Sequence, residues 1–173
     1  KVEERDSCMR LTVQLTAAQD VYFNYRQLLS TGYRHDNCQF YMPGFWYRRN
    51  LRSPKKAPSF HTSDSWLVRE DRLSAPLTGI FSEKEKRFMT VNRLDDFSMD
   101  ALATHKEGEI ILSGKTSLGF TGFENQQGIA MLSFGFPYRE APKSYIRKLT
   151  LAPEVEAFQL MKKGESVLLT WDR

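Results

Sequence analysis

The stretch YMPGFWYRRN, residues 41–50, brings aromatic rings and hydrogen-bonding side chains together. Four aromatic residues surround a Pro-Gly turn, and two arginines and an asparagine follow them. Sugar rings present flat C–H faces that pack on Trp and Tyr, while their hydroxyl groups need charged or amide partners. The residues that could supply both kinds of contact, and that we take as the candidate ligand-binding set, are Tyr41, Trp46, Tyr47, Arg48 and Asn50.

The same stretch also has a structural interpretation. Phe45 and Tyr47 could anchor a long loop on the body of the protein, with Arg48 capping carbonyl groups. Loops held on a rigid scaffold carry function more often than core segments do. Both interpretations therefore stay open, and they predict different effects of Trp46→Ala on glycan binding.

Histidines and carboxylates offer a second kind of chemistry. His35-Asp36, His61 and Asp64 could be metal ligands or acid and base, but a zinc site needs three or four convergent ligands, and no recognised ligand spacing is present. The sequence therefore predicts structural or solvated histidines, with no metal and no cofactor.

Neighbouring acidic residues do not make a catalytic pair. A glycosidase needs two carboxyl groups about 5 to 10 Å apart across a cleft, whereas adjacent residues on a strand point to opposite faces. Such neighbours occur at Glu70-Asp71 and Asp95-Asp96. The second pair is predicted to cap a turn or a short helix between Leu94 and Thr104.

The elements that must position these residues are predicted to be β-strands. Met9, Leu11, Val13 and Leu15 alternate with polar residues, which is the period of a half-buried strand. A second alternating run covers residues 21–29, with a hairpin turn at Gln19-Asp20, in preference to a helix over 17–29.

Further strands are predicted along the rest of the chain, separated by Gly, Pro and polar turns. Segment 30–65 differs, because Gly, Pro and basic residues interrupt it, and we predict a long aromatic-rich connection with room for one short strand. The strands predicted after it span 66–70, 77–81, 88–94, 109–113, 117–123, 128–136, 144–149, 155–161 and 166–171.

Length and composition set the class of protein. At 173 residues, with 40% hydrophobic and 27% charged residues, the chain has the size of a single domain, residues 1–173. No apolar run reaches the roughly 18 residues that span a bilayer, so no membrane partner is expected. The net charge is only +4, and the basic residues are mostly mixed with acidic ones, which makes a nucleic-acid partner unlikely. Cys8 and Cys38 could pair, and they leave the compartment open.

These features predict an all-β, antiparallel β-sandwich with one long aromatic-rich loop and at most a short helix. The order of the segments SDSWLVREDRLSAPLTGIF, GKTSLGFTGFENQQG and GFPYREAPKSYIRKL resembles the N-terminal sandwich, of the galactose-mutarotase-like supersandwich type, of multidomain bacterial six-hairpin glycosidases. This resemblance implies an accessory, carbohydrate-binding domain that packs on a C-terminal catalytic domain. It also implies a periplasmic or extracellular protein, and no catalytic residue of the family can be matched to this chain.

Two other functions fit the sequence. A free-standing mutarotase-like enzyme would hold its own acid and base, for which the candidates are His35, His61, Asp64 and Glu70. A single-strand nucleic-acid binder would use Tyr and Phe as stacking platforms, and its binding would weaken steeply with salt.

Overall fold

The computed structural model describes residues 1–44, 46–48, 63–94, 102–106, 109–113, 117–141 and 155–173. In these residues the chain is all-β and mostly antiparallel, with a sandwich-like arrangement of sheets, as predicted. The described helical turns are two 3-10 turns of three residues each, His35–Asn37 and Glu70–Arg72.

Sixteen strands lie within the described residues. They are β1 (Val2–Arg5), β2 (Cys8–Thr16), β3 (Val21–Phe23), β4 (Tyr25–Arg34), β5 (Cys38–Met42), β6 (Trp46–Arg48), β7 (Ser65–Arg69), β8 (Leu77–Ser82), β9 (Arg87–Arg93), β10 (Leu102–Lys106), β11 (Glu109–Ser113), β12 (Phe120–Gln126), β13 (Ile129–Phe136), β14 (Arg139–Glu140), β15 (Val155–Met161) and β16 (Ser166–Asp172).

The strands form three sheets. The largest has seven strands in the order β1-β2-β16-β9-β8-β5-β6, and a four-stranded sheet has the order β4-β13-β12-β7. The third sheet has the order β10-β11-β15-β14, with β3 also paired to β15. β11 and β15 run parallel, while the other described pairs are antiparallel.

The main core lies between the seven-stranded and four-stranded sheets. Alternate residues of the strands in these two sheets face this core, and the buried cluster draws Phe40 and Trp171 from one sheet and Phe123 and Phe134 from the other. Strands β12 and β13 are buried on both faces. The Phe40 and Phe123 rings meet edge to face with their centroids 4.9 Å apart, and those of Phe134 and Trp171 are 5.0 Å apart. The alternation read from the sequence is therefore the alternation that builds the core.

The predicted hairpin between residues 9–16 and 21–29 is wrong. Both segments are strands, which confirms the choice against a helix, but β2 pairs with β1 and β16. β3 pairs with β15, and β4 pairs with β13. The turn at Gln19-Asp20 therefore carries the chain from one sheet to another, because strand partners are chosen by packing and not by proximity in sequence.

Two further expectations need correction. Segment 30–65 is not a long connection throughout, since β4 extends to Arg34 and β5 and β6 follow it. The helix expected between Leu94 and Thr104 is wrong for its last residues, because strand β10 begins at Leu102. Asp95, Asp96 and the strand expected at 144–149 lie outside the described residues.

Candidate functional site

The β5–β6 hairpin positions the aromatic and basic stretch that begins at Tyr41. Its strands pair around a Pro43-Gly44 turn. Gly44 there adopts a φ of +80°, which residues other than glycine rarely adopt. The register places Trp46 opposite Met42 and Tyr47 opposite Tyr41. Met42 is buried in the core.

The structure describes some of the predicted site residues and not others. Tyr41 has a described side chain, and Trp46, Tyr47 and Arg48 have described strand positions. Asn50 and His61 lie outside the described residues.

Tyr41 belongs to an aromatic surface on the outer face of the seven-stranded sheet. Its neighbours there are Phe88, which is 52% exposed, and the half-buried Phe81 on β8, directly opposite Phe88. The Tyr41 and Phe88 rings meet edge to face, with centroids 5.3 Å apart and planes at 83°. We call Tyr41, Phe81 and Phe88 the aromatic platform.

Gly79 explains how the Phe88 ring comes to lie beside Tyr41. Gly79 pairs with Tyr41 on β5 and with Thr90 on β9, so it occupies the centre of this face. A Cβ atom at Gly79 would overlap the Phe88 ring, so the ring occupies the space that a side chain would take. The absence of this side chain leaves a flat place on the sheet where two rings converge.

Polar side chains border the platform on one side. The Tyr41 hydroxyl donates a hydrogen bond of 3.2 Å to Gln39 Oε1, and Gln39 Nε2 donates one of 2.7 Å to Glu83 Oε1. This chain of hydrogen bonds fixes the tyrosine ring and places an amide and a carboxylate next to it. Stacking surfaces and hydroxyl-binding groups are the two components that a glycan site needs.

Sequence reasoning missed Phe88, Gln39 and Glu83 as site residues. Gln39 is two residues from Tyr41, and the strand period could have placed both on one face. Phe88 is 47 positions away, and only the pairing of β5 with β8 and of β8 with β9 brings it to Tyr41.

The acid and base candidates of the enzyme hypothesis do not form one group. His35 Nδ1 lies 3.3 Å from the Gly128 carbonyl oxygen, and Asp64 Oδ1 accepts a hydrogen bond of 3.2 Å from Asn125, so both side chains hold the β12–β13 turn. Glu70 lies at the other end of β7, about 17 Å away for a five-residue strand.

Glu70 belongs to a buried ion pair. It is 1% exposed, and its Oε2 lies 3.4 Å from Arg93 NH1 and accepts a hydrogen bond of 2.9 Å from the Gly119 amide. The Arg93 guanidinium also donates to the Ser117 carbonyl oxygen and lies 5.2 Å from the centre of the Trp171 ring. Both charges are therefore bound inside the protein, where no substrate reaches them.

Metal binding, membrane spans and thiol chemistry concern the described part of the chain as follows. Within it, no group of three or more His, Cys, Asp and Glu side chains could hold a metal ion, and no helix has the length and apolar character to cross a bilayer. Cys8 and Cys38 are both free thiols. Burial raises the pKa of Cys38 to about 12, with a further contribution from Glu83, so this thiol is unreactive.

A cavity of about 230 Å³ opens between the edges of the two main sheets. Apolar side chains form most of its wall, among them Leu11, Leu29 and Phe134. Its polar lining consists of Gln27, Asp172 and Arg173, of which Asp172 is already paired with Arg10, so we assign the cavity no function.

No protein-family model, curated protein or solved structure shows significant similarity to the chain.

Proposed function

We propose that this chain is an accessory carbohydrate-binding β-sandwich domain of a glycoside hydrolase-like protein. In this proposal the aromatic platform binds glycan, and the domain packs on a catalytic domain. The observation that carries the proposal is the exposed Phe88 ring, held edge to face against Tyr41 beside the Gln39–Glu83 hydrogen bond.

The platform has the properties that glycan binding requires. Phe88 exposes more than half of its surface although it is a large apolar residue, and such exposed groups mark interaction sites when they cluster with other apolar residues. A ring stacked on an antiparallel sheet is held rigidly, so little conformational entropy is lost when a sugar packs on it. Gln39 supplies an amide and Glu83 a carboxylate beside the rings, and both groups suit the hydroxyl groups of a sugar.

The direct test is binding of an oligosaccharide panel, measured by isothermal titration calorimetry or affinity electrophoresis. We expect Phe88→Ala and Tyr41→Ala each to weaken binding about tenfold, since loss of one aromatic contact corresponds to roughly 1.4 kcal/mol. Leu168→Ala is the matched control, because Leu168 is 57% exposed on the same sheet but lies on β16, away from the platform. Equal binding by all variants would exclude the platform as the glycan-binding site.

The hairpin stretch gives a second test of the same proposal. We expect Trp46→Ala and Arg48→Ala to weaken glycan binding by more than their effect on stability explains. If the binding constants stay unchanged in folded variants, the stretch anchors the chain and does not contact ligand.

The accessory role separates this proposal from the enzyme alternative. The isolated chain should not hydrolyse any member of the oligosaccharide panel, and measurable turnover would contradict the proposal. Glu70, one of the four residues proposed as acid or base, is paired with Arg93 in the interior, which does not favour a catalytic role for it. Binding of single-stranded nucleic acid that falls steeply with salt would favour the third hypothesis.

A further inference from the structure

A second concave site, besides the apolar cavity, is lined by residues outside the aromatic platform. It is a cleft of about 200 Å³ at the place where β3 gives way to β4 and where β14 meets β15. Its walls include Asn24, Arg26, Phe120, Tyr138, Arg139 and Glu156. None of these residues belongs to the aromatic platform.

Hydrogen-bonding side chains form one wall of the cleft. Asn24 Nδ2 donates a hydrogen bond of 2.9 Å to Glu156 Oε1, and Arg139 NH1 lies 3.5 Å from the same oxygen. Arg26 forms an ion pair with Glu124, which is 4% exposed. Two guanidinium groups are thus matched by two carboxylates, so the cleft carries no net charge from these four groups.

Donors in this wall remain available to a ligand. Tyr138 is 4% exposed, yet its hydroxyl makes no hydrogen bond with any residue that the structure describes. The hydroxyl oxygen is not among the buried polar atoms without a partner, so it keeps some access to solvent at the cleft. Arg139 is too far from Glu156 for a good hydrogen bond, so its N–H groups are also available.

Apolar groups form the other wall. Phe120 and Pro137 line the cleft, and Phe120 is 2% exposed. The Tyr138 ring is fixed from another side by the Arg69 guanidinium, which lies 4.7 Å from the ring centre. The cleft therefore opposes a rigid apolar surface to a set of donors and acceptors.

We infer that this cleft binds one uncharged pyranose ring. Its volume lies below the roughly 300 Å³ at which sites for drug-sized ligands begin, so it suits a single ring. A neutral ligand matches the balanced charges, and a sugar uses the donors of Tyr138 and Arg139, the acceptor of Glu156 and the apolar wall together. The site goes beyond the proposed function, because it would take a free or terminal sugar residue separately from the platform.

The test uses free monosaccharides and the whole chain. Glucose, galactose, mannose and xylose are titrated and followed by ligand-observed NMR and calorimetry, with glucuronate as the charged comparison. We expect at least one neutral sugar to bind with a Kd of about 1 mM, the range for a ligand of about a dozen non-hydrogen atoms. We expect Tyr138→Phe and Arg139→Gln each to weaken that binding at least fivefold.

Two matched variants separate this site from others. Arg87→Gln removes an exposed arginine from β9 and should not change monosaccharide binding. Phe88→Ala tests the platform and should also leave it unchanged, so failure of the proposed function and failure of this inference give different results. Tyr138→Phe keeps the ring and removes one oxygen, so its fold should persist, which thermal unfolding checks.

Three results would overturn the inference. The first is that no neutral monosaccharide binds, and the second is that only glucuronate binds and does so in a salt-sensitive way. The third is that Tyr138→Phe and Arg139→Gln both bind the neutral sugar as the unchanged chain does.

Discussion

Arg93 and Glu70 hold opposite charges in a part of the protein that water does not reach. Removing ions from water costs several kcal/mol each, and the cost is offset here by the ion pair, by the Gly119 amide and by the Ser117 carbonyl. Neither residue can lose its partner cheaply, because the remaining charge would stay buried. The pair therefore joins the 3-10 turn after β7 to the end of β9.

We expect Glu70→Gln to destabilise the protein by about 3 to 5 kcal/mol, because it leaves Arg93 charged and unpaired. Urea unfolding followed by tryptophan fluorescence measures the change. Asp71→Asn is the control, since its partner Arg69 is partly exposed and such pairs contribute about 1 kcal/mol or less. Similar losses in the two variants would contradict the buried role of Glu70.

Glu140 gives the stability a dependence on pH. It is 4% exposed, and burial raises its pKa above the ordinary 4.5, although Arg72, with its Nε 2.9 Å from Oε1, lowers it in part. As the pH rises, the unfolded chain loses this proton before the folded protein does. The contribution of Glu140 to stability therefore falls as the pH rises from about 4.5 to the folded pKa.

Glu140→Gln removes this titration and keeps a similar shape. We expect the unfolding free energy of the variant, relative to the unchanged protein, to increase between pH 4 and pH 6. Chemical denaturation at several pH values measures both. A difference that stays constant or decreases over this interval would contradict the raised pKa of Glu140.

Strand β12 occupies the centre of the four-stranded sheet, between β13 and β7. Gly122 within it and Gly119 just before it let neighbouring backbone approach closely. A Cβ atom at Gly122 would overlap the Trp66 carbonyl oxygen, and one at Gly119 would overlap that of Gly135. Backbone atoms cannot move aside as a flexible side chain does. Glycine at these two positions is therefore required by close backbone contact.

We expect Gly122→Ala to cost about 3 kcal/mol or more, because the sheet must open to admit the methyl group. Thermal or urea unfolding measures this loss. At Gly32, with a φ of +71° and no atom within 4 Å of a Cβ, the same substitution carries only the backbone cost of about 1 to 2 kcal/mol. A smaller loss at position 122 than at position 32 would contradict the close contact of β12 with β7.

Strand β16, near the C-terminus, lies between β2 from the start of the chain and β9 from its middle. It pairs with β2 from Ser166 opposite Thr16 to Asp172 opposite Arg10, and its end pairs with β9. Leu169 and Trp171 are fully or almost fully buried in the main core. The sandwich therefore closes through contacts between residues about 150 positions apart.

Deleting residues 166–173 should abolish the folded state, because β2 and β9 each lose a partner strand and the core loses Trp171. Near-ultraviolet circular dichroism and NMR dispersion measure the loss of tertiary structure. Deleting residues 1–6 removes the β1 strand, which pairs only with β2 among the described strands, and should leave a folded, less stable protein. A folded chain without β16 would refute the role of this strand.

The amino-acid sequence by itself determined where most strands lie. Alternation of apolar and polar side chains is a local property, and it located β2, β8, β9, β11, β15 and β16 to within about two residues and predicted the all-β class. Local alternation did not determine which strand pairs with which. It also did not show whether the two cysteines pair, or that segment 30–65 contains more than one strand.

Only the tertiary structure decided which strands pair and which side chains meet. The pairing of β2 with β16, the approach of Phe88 to Tyr41 and the contact of Arg93 with Glu70 all join residues that are distant in sequence. Such contacts depend on the packing free energy of whole sheets, to which every strand contributes. The strand pattern is therefore visible in the residues themselves, while the platform and the cleft exist only after the sheets have formed.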